Sequence, residues 1–257
     1  MSVNEGISQV KRPLPHTKLH RNSISPAVLV CGDPQRATRI AEFLDNVSLI
    51  AEWREYRTLT GTFDGFPVTV CSHGIGAPGA AIAFEELIAA GARQIIRVGT
   101  CGGIMPAVDS GVLVIAEAAV QYTGYGRQIM PPNYPAVADL HLTLALEQAA
   151  RTKKRPFHTG IVLTTDAFYK GIPAPHLPDY HQMAAAHVLA VEMECAALFL
   201  IGRLRQIRTA AILAADGNVL HRAEDMDTFD PHRDIVRQTI DDAIQIALQA
   251  LKNHGPE

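Results

Sequence analysis

Four apolar, β-branched runs break off abruptly into glycine or aspartate, and they constrain this chain more than any other feature. They lie at 27–31 before Gly32-Asp33, at 94–98 before Gly99, at 157–165 before Asp166 and at 209–215 before Asp216. Runs this apolar suit strands buried on both faces. A further apolar run lies at 112–115 and two β-rich runs near 54–63 and 67–72. Helical patterns fall between the runs, near 34–44, 80–90, 140–150, 196–204 and 232–252. The alternation predicts one α/β domain over 26–253, with a mixed, largely parallel twisted sheet flanked by helices. Residues 1–25 form a polar, irregular N-terminal segment. The 121–137 stretch reads as loop, and the aperiodic 217–230 stretch reads as a lid.

The strand ends carry the chemistry. Arg97-Val98-Gly99-Thr100-Cys101-Gly102-Gly103 reads as a glycine turn that offers backbone N–H donors beside a guanidinium, which suits an anion. A tight turn after a core strand is the alternative. Gly32-Asp33-Pro34-Gln35-Arg36 is a second candidate, an anion site at a helix N-terminus. Its plainer reading is an Asp33 N-cap with Pro34 at the first helical position. Val191-Glu192-Met193-Glu194-Cys195 sets two carboxylates at a helix start, suited either to the helix dipole or to a ligand's vicinal hydroxyls. Asp216 stands where open α/β sheets bind ligands, outside a strand's carboxyl end.

Composition excludes other classes. Basic residues number 23 and acidic ones 26, for a net charge of −3, with no basic stripe to suit a nucleic acid. No apolar run approaches the roughly 18 residues that span a bilayer. The polar N-terminus has no apolar core of a signal peptide. The cysteines at 31, 71, 101 and 195 stand singly and read as buried thiols of a cytoplasmic protein. His16 and His20 have a metal-compatible spacing but lack a third ligand, so no metal is expected. Gly74-Ile75-Gly76-Ala77-Pro78-Gly79 spells a dinucleotide fingerprint. No acid follows between Leu87 and Val108, where the ribose partner belongs, and this argues against a dehydrogenase.

Taken together and in order, Gly-Asp-Pro-x-Arg at 32–36, Arg-Glu-Tyr at 54–56, Ser-His-Gly-Ile-Gly at 72–76, Arg-Val-Gly-Thr-Cys-Gly at 97–102, Val-Glu-Met-Glu at 191–194 and Asp216 resemble the nucleoside phosphorylase family. That family includes uridine phosphorylase and the hexameric purine nucleoside phosphorylases. The look is nearest the malarial purine branch. The resemblance implies that nucleoside and inorganic phosphate are converted to free base and ribose 1-phosphate, with no cofactor. It implies phosphate held by Gly32, Arg36, Arg97 and Thr100, with Arg54 reaching in from a neighbouring subunit. Ribose would be held by Glu194 and Met193, and by His16 of a neighbouring subunit, with His20 the rival. Cys101, Gly102, Phe168 and Glu192 would line the base, and Asp216 would act as general acid. It also implies a homo-oligomer, commonly a hexamer built as a trimer of dimers. Uridine phosphorylases carry Gln and Arg shortly after the stacking Phe. Here Ile172 and Ala174 stand at those places, so the expected substrate is a purine ribonucleoside of the inosine or guanosine type. Uridine phosphorylase and a hydrolytic nucleosidase are the rivals.

Overall fold

The computed structural model describes residues 12–131, 133–169, 172, 174, 177–221, 230 and 233–255. Strand β1 (Ala27–Cys31) is fully buried and runs into helix α1 (Pro34–Ala41). An antiparallel unit follows: β2 (Asp45–Trp53), β3 (Tyr56–Phe63) and β4 (Phe66–Ser72). Helix α2 (Ala77–Ala90) leads to β5 (Gln94–Gly103), then β6 (Leu113–Tyr122), α3 (Gly124–Ile129) and the short β7 (Ala136–Val137). The chain continues through α4 (Leu140–Thr152), β8 (Phe157–Thr165), α5 (Tyr180–Ala185) and β9 (Ala190–Glu192). It closes with α6 (Cys195–Arg205), β10 (Arg208–Asn218) and α7 (Asp234–Asn253).

Strand β5 is the centre. Its first half pairs in parallel with β1 on one side and β10 on the other, and its last two residues pair with β9. Strand β10 continues to β6, β6 to β8, and β8 to β9, so five strands close a ring on β5. From β1 the sheet runs outward through β4 and β3 to β2 as an open edge. This is the mixed α/β sheet expected of the sequence.

The period of two along a strand splits the core between the faces. Val28 and Val30 join Phe84 and Leu87 of α2 and Leu198 and Phe199 of α6. Leu29 faces the other way, with Ile96 and Ile212, against Ile40 of α1, Leu146 of α4 and Ile244 and Leu248 of α7. Burying each such side chain contributes about 1.5–3 kcal/mol, so both layers are needed to hold a sheet this wide.

Three expectations need correction. The glycines after Arg97 are not a turn: β5 stays extended to Gly103. They are small because neighbours press on them. A Cβ on Gly103 would lie 1.8 Å from the Val108 carbonyl oxygen, and one on Gly99 would lie 2.7–2.8 Å from the Arg97 guanidinium. The 121–137 stretch holds α3 and β7 rather than loop alone. Strand β2, largely exposed, was not expected at all. Most of the expected 217–230 lid, residues 222–229, lies outside the described residues; its start at 217–218 belongs to β10.

Candidate active site

The site is built where β1, β4, β5 and β10 end. The loops after β1 and β4 are zipped together: the His73 N–H donates to the Cys31 carbonyl at 2.8 Å and the Gly74 N–H to that of Gly32 at 2.9 Å. Asp33 caps α1 by accepting from the Gln35 N–H at 2.8 Å, and Pro34 opens the helix. This fixes half-buried Arg36 in the first turn, beside Gly32. Burial lowers the Arg36 pKa, and Arg97 pushes it the same way, while the charges of Asp33 and Asp216 oppose that. The expected phosphate groups and the expected general acid therefore share one electrostatic neighbourhood.

Arg97 is only 4% exposed. Its Nη2 lies 2.5 Å from Glu194 Oε2 and 3.4 Å from Glu192 Oε2, and its Nη1 lies 3.3 Å from His73 Nε2. Burial works against the charge on Arg97, but the Glu194 and Glu192 carboxylates outweigh it and hold the pKa above the usual arginine value. Burial alone would push Glu194 toward protonation; a 2.5 Å contact with a guanidinium is the reason to read the pair as ionised. The other Glu194 oxygen accepts from the Gly76 N–H at 2.6 Å, where α2 begins. One carboxylate thus ties β5, α2 and α6 together.

Glu192 is tied into the start of α6. Its oxygens accept from the Thr164 hydroxyl at 2.5 Å, the Glu194 N–H at 2.8 Å and the Cys195 N–H at 2.9 and 3.0 Å. Those bonds cap α6 together with the Thr164 hydroxyl, which accepts from the Ala196 N–H at 3.0 Å, and they make Glu192 a buried strut at the start of that helix.

The residues expected at the base lie around the end of β10. Asp216 is 8% exposed, at a bulge where the register against β5 slips: Ala215 faces Cys101 and Gly217 faces Gly102. The Asp216 charge, after burial itself, raises the Cys101 pKa, so the two side chains are neighbours. Arg233 and the Ser110 hydroxyl both donate to the Asp216 carbonyl, pinning the bulge to the start of α7. Gly102 is crowded by Val219 and Val191. Thr100 and Met193 are partly exposed on the strand ends beside them. Phe168 is 56% exposed, edge-on to Tyr169 at 5.1 Å, and Ile172 is 82% exposed.

One expected residue stands apart from this cluster, and another lies on an exposed hairpin tip. His16 is held on α2 by Glu86: its N–H donates at 3.0 Å and its Nδ1 lies 2.9 Å from Oε1, while the Thr17 N–H and hydroxyl each add a 2.7 Å bond. Glu86 is ten residues beyond Gly76, about 15 Å along the helix from the site. His20 is exposed, its carbonyl accepting from the Ser23 hydroxyl. Arg54 is exposed at the tip of the β2–β3 hairpin, in the left-handed region at φ 56°. The residue that sequence reasoning missed is His73. It is fully buried between Gly32 and Arg97, and only its place in the 72–76 motif could have marked it.

Two guanidiniums, a buried carboxylate on one of them and an acid at the neighbouring strand end thus gather where these strands end. The description of the phosphorylase superfamily matches residues 26–252, and the chain belongs to that family. It is 38% identical over 245 residues to a uridine phosphorylase of Treponema pallidum, covering 92% of each chain. It is 36% identical over 237 residues to a purine nucleoside phosphorylase of Plasmodium vivax, covering 91% of this chain and 94% of that one. The purine nucleoside phosphorylase of Toxoplasma gondii, solved with immucillin-H, superposes with a TM-score of 0.88 at 34% identity, over 95% of this chain and 96% of that one. The resemblance read from the six motifs is thereby established, and the relatives divide between uridine and purine enzymes.

Proposed function

We propose that this nucleoside phosphorylase acts on purine ribonucleosides of the inosine or guanosine type, with inorganic phosphate as the second substrate. The observation that carries the base preference is Asp216, buried at the end of β10 beside Cys101. The lack of polar side chains at Ile172 and Ala174 supports it. Phosphate sits on the Gly32 N–H, Arg36, Arg97 and Thr100, with Arg54 of a neighbouring subunit. Glu194 accepts from the ribose hydroxyls, Met193 packs on the sugar, and His16 of a neighbouring subunit meets the 5′-hydroxyl. Cys101, Gly102 and Phe168 border the base.

As the glycosidic bond breaks, positive charge grows on the sugar, and the phosphate held beneath it stabilises that charge and then bonds to the anomeric carbon. The electron pair of the broken bond leaves with the base. Asp216 gives its proton to the purine N7, which removes the cost of a purine anion. The protein groups supply all of this, with no cofactor or metal in the scheme.

Sharing of sites between subunits fits the place of His16, held on α2 away from its own chain's cluster, and the exposure of Arg54 at a hairpin tip. It also fits the exposed apolar side chains of edge strand β2, Val47, Leu49 and Trp53, since such an edge calls for a cover. A hexamer of three dimers is the assembly we favour.

The test is a panel of inosine, guanosine, adenosine and uridine, each with and without phosphate, reading ribose 1-phosphate. Inosine or guanosine ahead, and only with phosphate, is expected. Uridine far ahead of the purines would overturn the base assignment. Undiminished cleavage without phosphate would replace the phosphorylase by a nucleosidase.

A further inference from the structure

The side chain of His73 has no part in the scheme above, yet it occupies a built position. Its Nδ1 lies 2.9 Å from the Gly74 carbonyl oxygen. A carbonyl only accepts, so Nδ1 carries the hydrogen and Nε2 keeps its lone pair. That lone pair faces Arg97 Nη1 at 3.3 Å. The ring is fully buried and packs edge-on against Phe84 at 5.4 Å, which fixes its plane. A Cβ built on Gly32 would come within 4.0 Å of its Cε1, so the ring also borders the glycine expected to meet phosphate.

We propose that His73 is a positioning residue for phosphate: its Nε2 accepts from the Arg97 guanidinium and aims that fork at the anion. The inference rests on the reading of Arg97 as a phosphate ligand. Two carboxylates pull Arg97 toward the ribose side of the site. A neutral acceptor on the Gly32 side holds one arm of the fork back without adding a negative charge that would repel phosphate. A carboxylate there would do the first and fail the second. A protonated imidazole, with no lone pair left on Nε2, could not accept from Arg97 at all. The ring stays neutral because burial disfavours its charged form and Arg97 and Arg36 repel it, which together hold its pKa well below the usual histidine range.

Two substitutions separate the ring's two bonds. His73→Asn can still reach the Gly74 carbonyl but not Arg97. His73→Gln places an acceptor near the position of Nε2. Steady-state kinetics varying phosphate and nucleoside separately should show KM for phosphate raised roughly tenfold in H73N, the scale for losing one bond to a charged group. KM for the nucleoside should move less than twofold, and H73Q should recover phosphate KM to within threefold of wild type. If H73N does not fold, His73→Leu, which fills the same seat against Phe84, carries the same expectation. Phosphate KM within twofold of wild type in H73N or H73L overturns the proposal, as does a loss in H73Q equal to that in H73N. A wild-type enzyme whose turnover does not depend on phosphate overturns the phosphorylase reading, and this inference with it.

Discussion

Replacing Glu194 by glutamine should move the two substrates in opposite directions. The Glu194 carboxylate lies 2.5 Å from Arg97, in a setting where both side chains are about 5% exposed. A phosphate must compete with that carboxylate for the guanidinium and must also tolerate its charge. Hydrogen bonds to charged groups contribute about 1.5–3 kcal/mol and neutral ones about 0.5–1.5 kcal/mol, so the amide should hold Arg97 about 1 kcal/mol less firmly. At about 1.4 kcal/mol per factor of ten, phosphate should bind about fivefold tighter to Glu194→Gln. The same change weakens the grip on the ribose hydroxyls, and kcat/KM for the nucleoside should fall by about 10- to 100-fold. Glutamine can still accept from the Gly76 N–H, and Arg97 keeps Glu192 at 3.4 Å, so the fold should survive. Calorimetric titration with inorganic phosphate, set beside steady-state kinetics on inosine, measures both arms. Phosphate affinity that is unchanged or weaker in Glu194→Gln would refute the competition. Unchanged nucleoside kinetics would refute the ribose role.

Two further outcomes are expected. Asp216→Asn should lower turnover on inosine by roughly 10²-fold or more, the scale for losing a general acid, while phosphate KM changes little; turnover within a factor of a few of wild type would remove Asp216 from the chemistry. Glu86 is also open to test. Burial would raise its pKa, but the bonds from Thr17 and His16 outweigh burial and depress it. A depressed carboxylate pKa stabilises the folded state above the ordinary value of about 4.3, and that stability is lost as pH falls through the lower folded value. Acidification below about pH 4.3 should therefore release the segment carrying His16 from α2. Trp53, the only tryptophan, has the Lys18 ammonium 5.1 Å over its ring, so its fluorescence should change over that range, and the change should be absent in Glu86→Gln, which has no carboxylate to titrate. A signal flat down to global unfolding would refute the tether.

The sequence was most legible where one physical cause leaves one pattern. Strand β8 matches its apolar run from 157 to 165, and the Asp33–Pro34 start of α1 follows from side-chain capping and a fixed φ. It was ambiguous where one residue type answers two causes. Glycine at 99–103 serves close packing against Arg97, Val219 and Val108, yet from sequence it reads equally as a turn. Glu192 and Glu194 are one residue apart and look alike in sequence. Only their hydrogen bonds divide them into a helix cap and a clamp on Arg97. Strand β2 gave no core signal because it is an exposed edge. His73 was hidden because its role depends on which ring nitrogen faces which partner.

The closed ring of strands has a consequence for how such an enzyme can diversify. Arg97 stands on a strand bonded to three others, so it cannot drift without opening the ring. Phe168 and Ile172 stand on the chain that connects β8 to α5, outside that constraint. Change can therefore accumulate in that connecting chain while the ring that holds Arg97 stays as it is, and this chain is similar to both a uridine phosphorylase and a purine nucleoside phosphorylase at a little over a third identity.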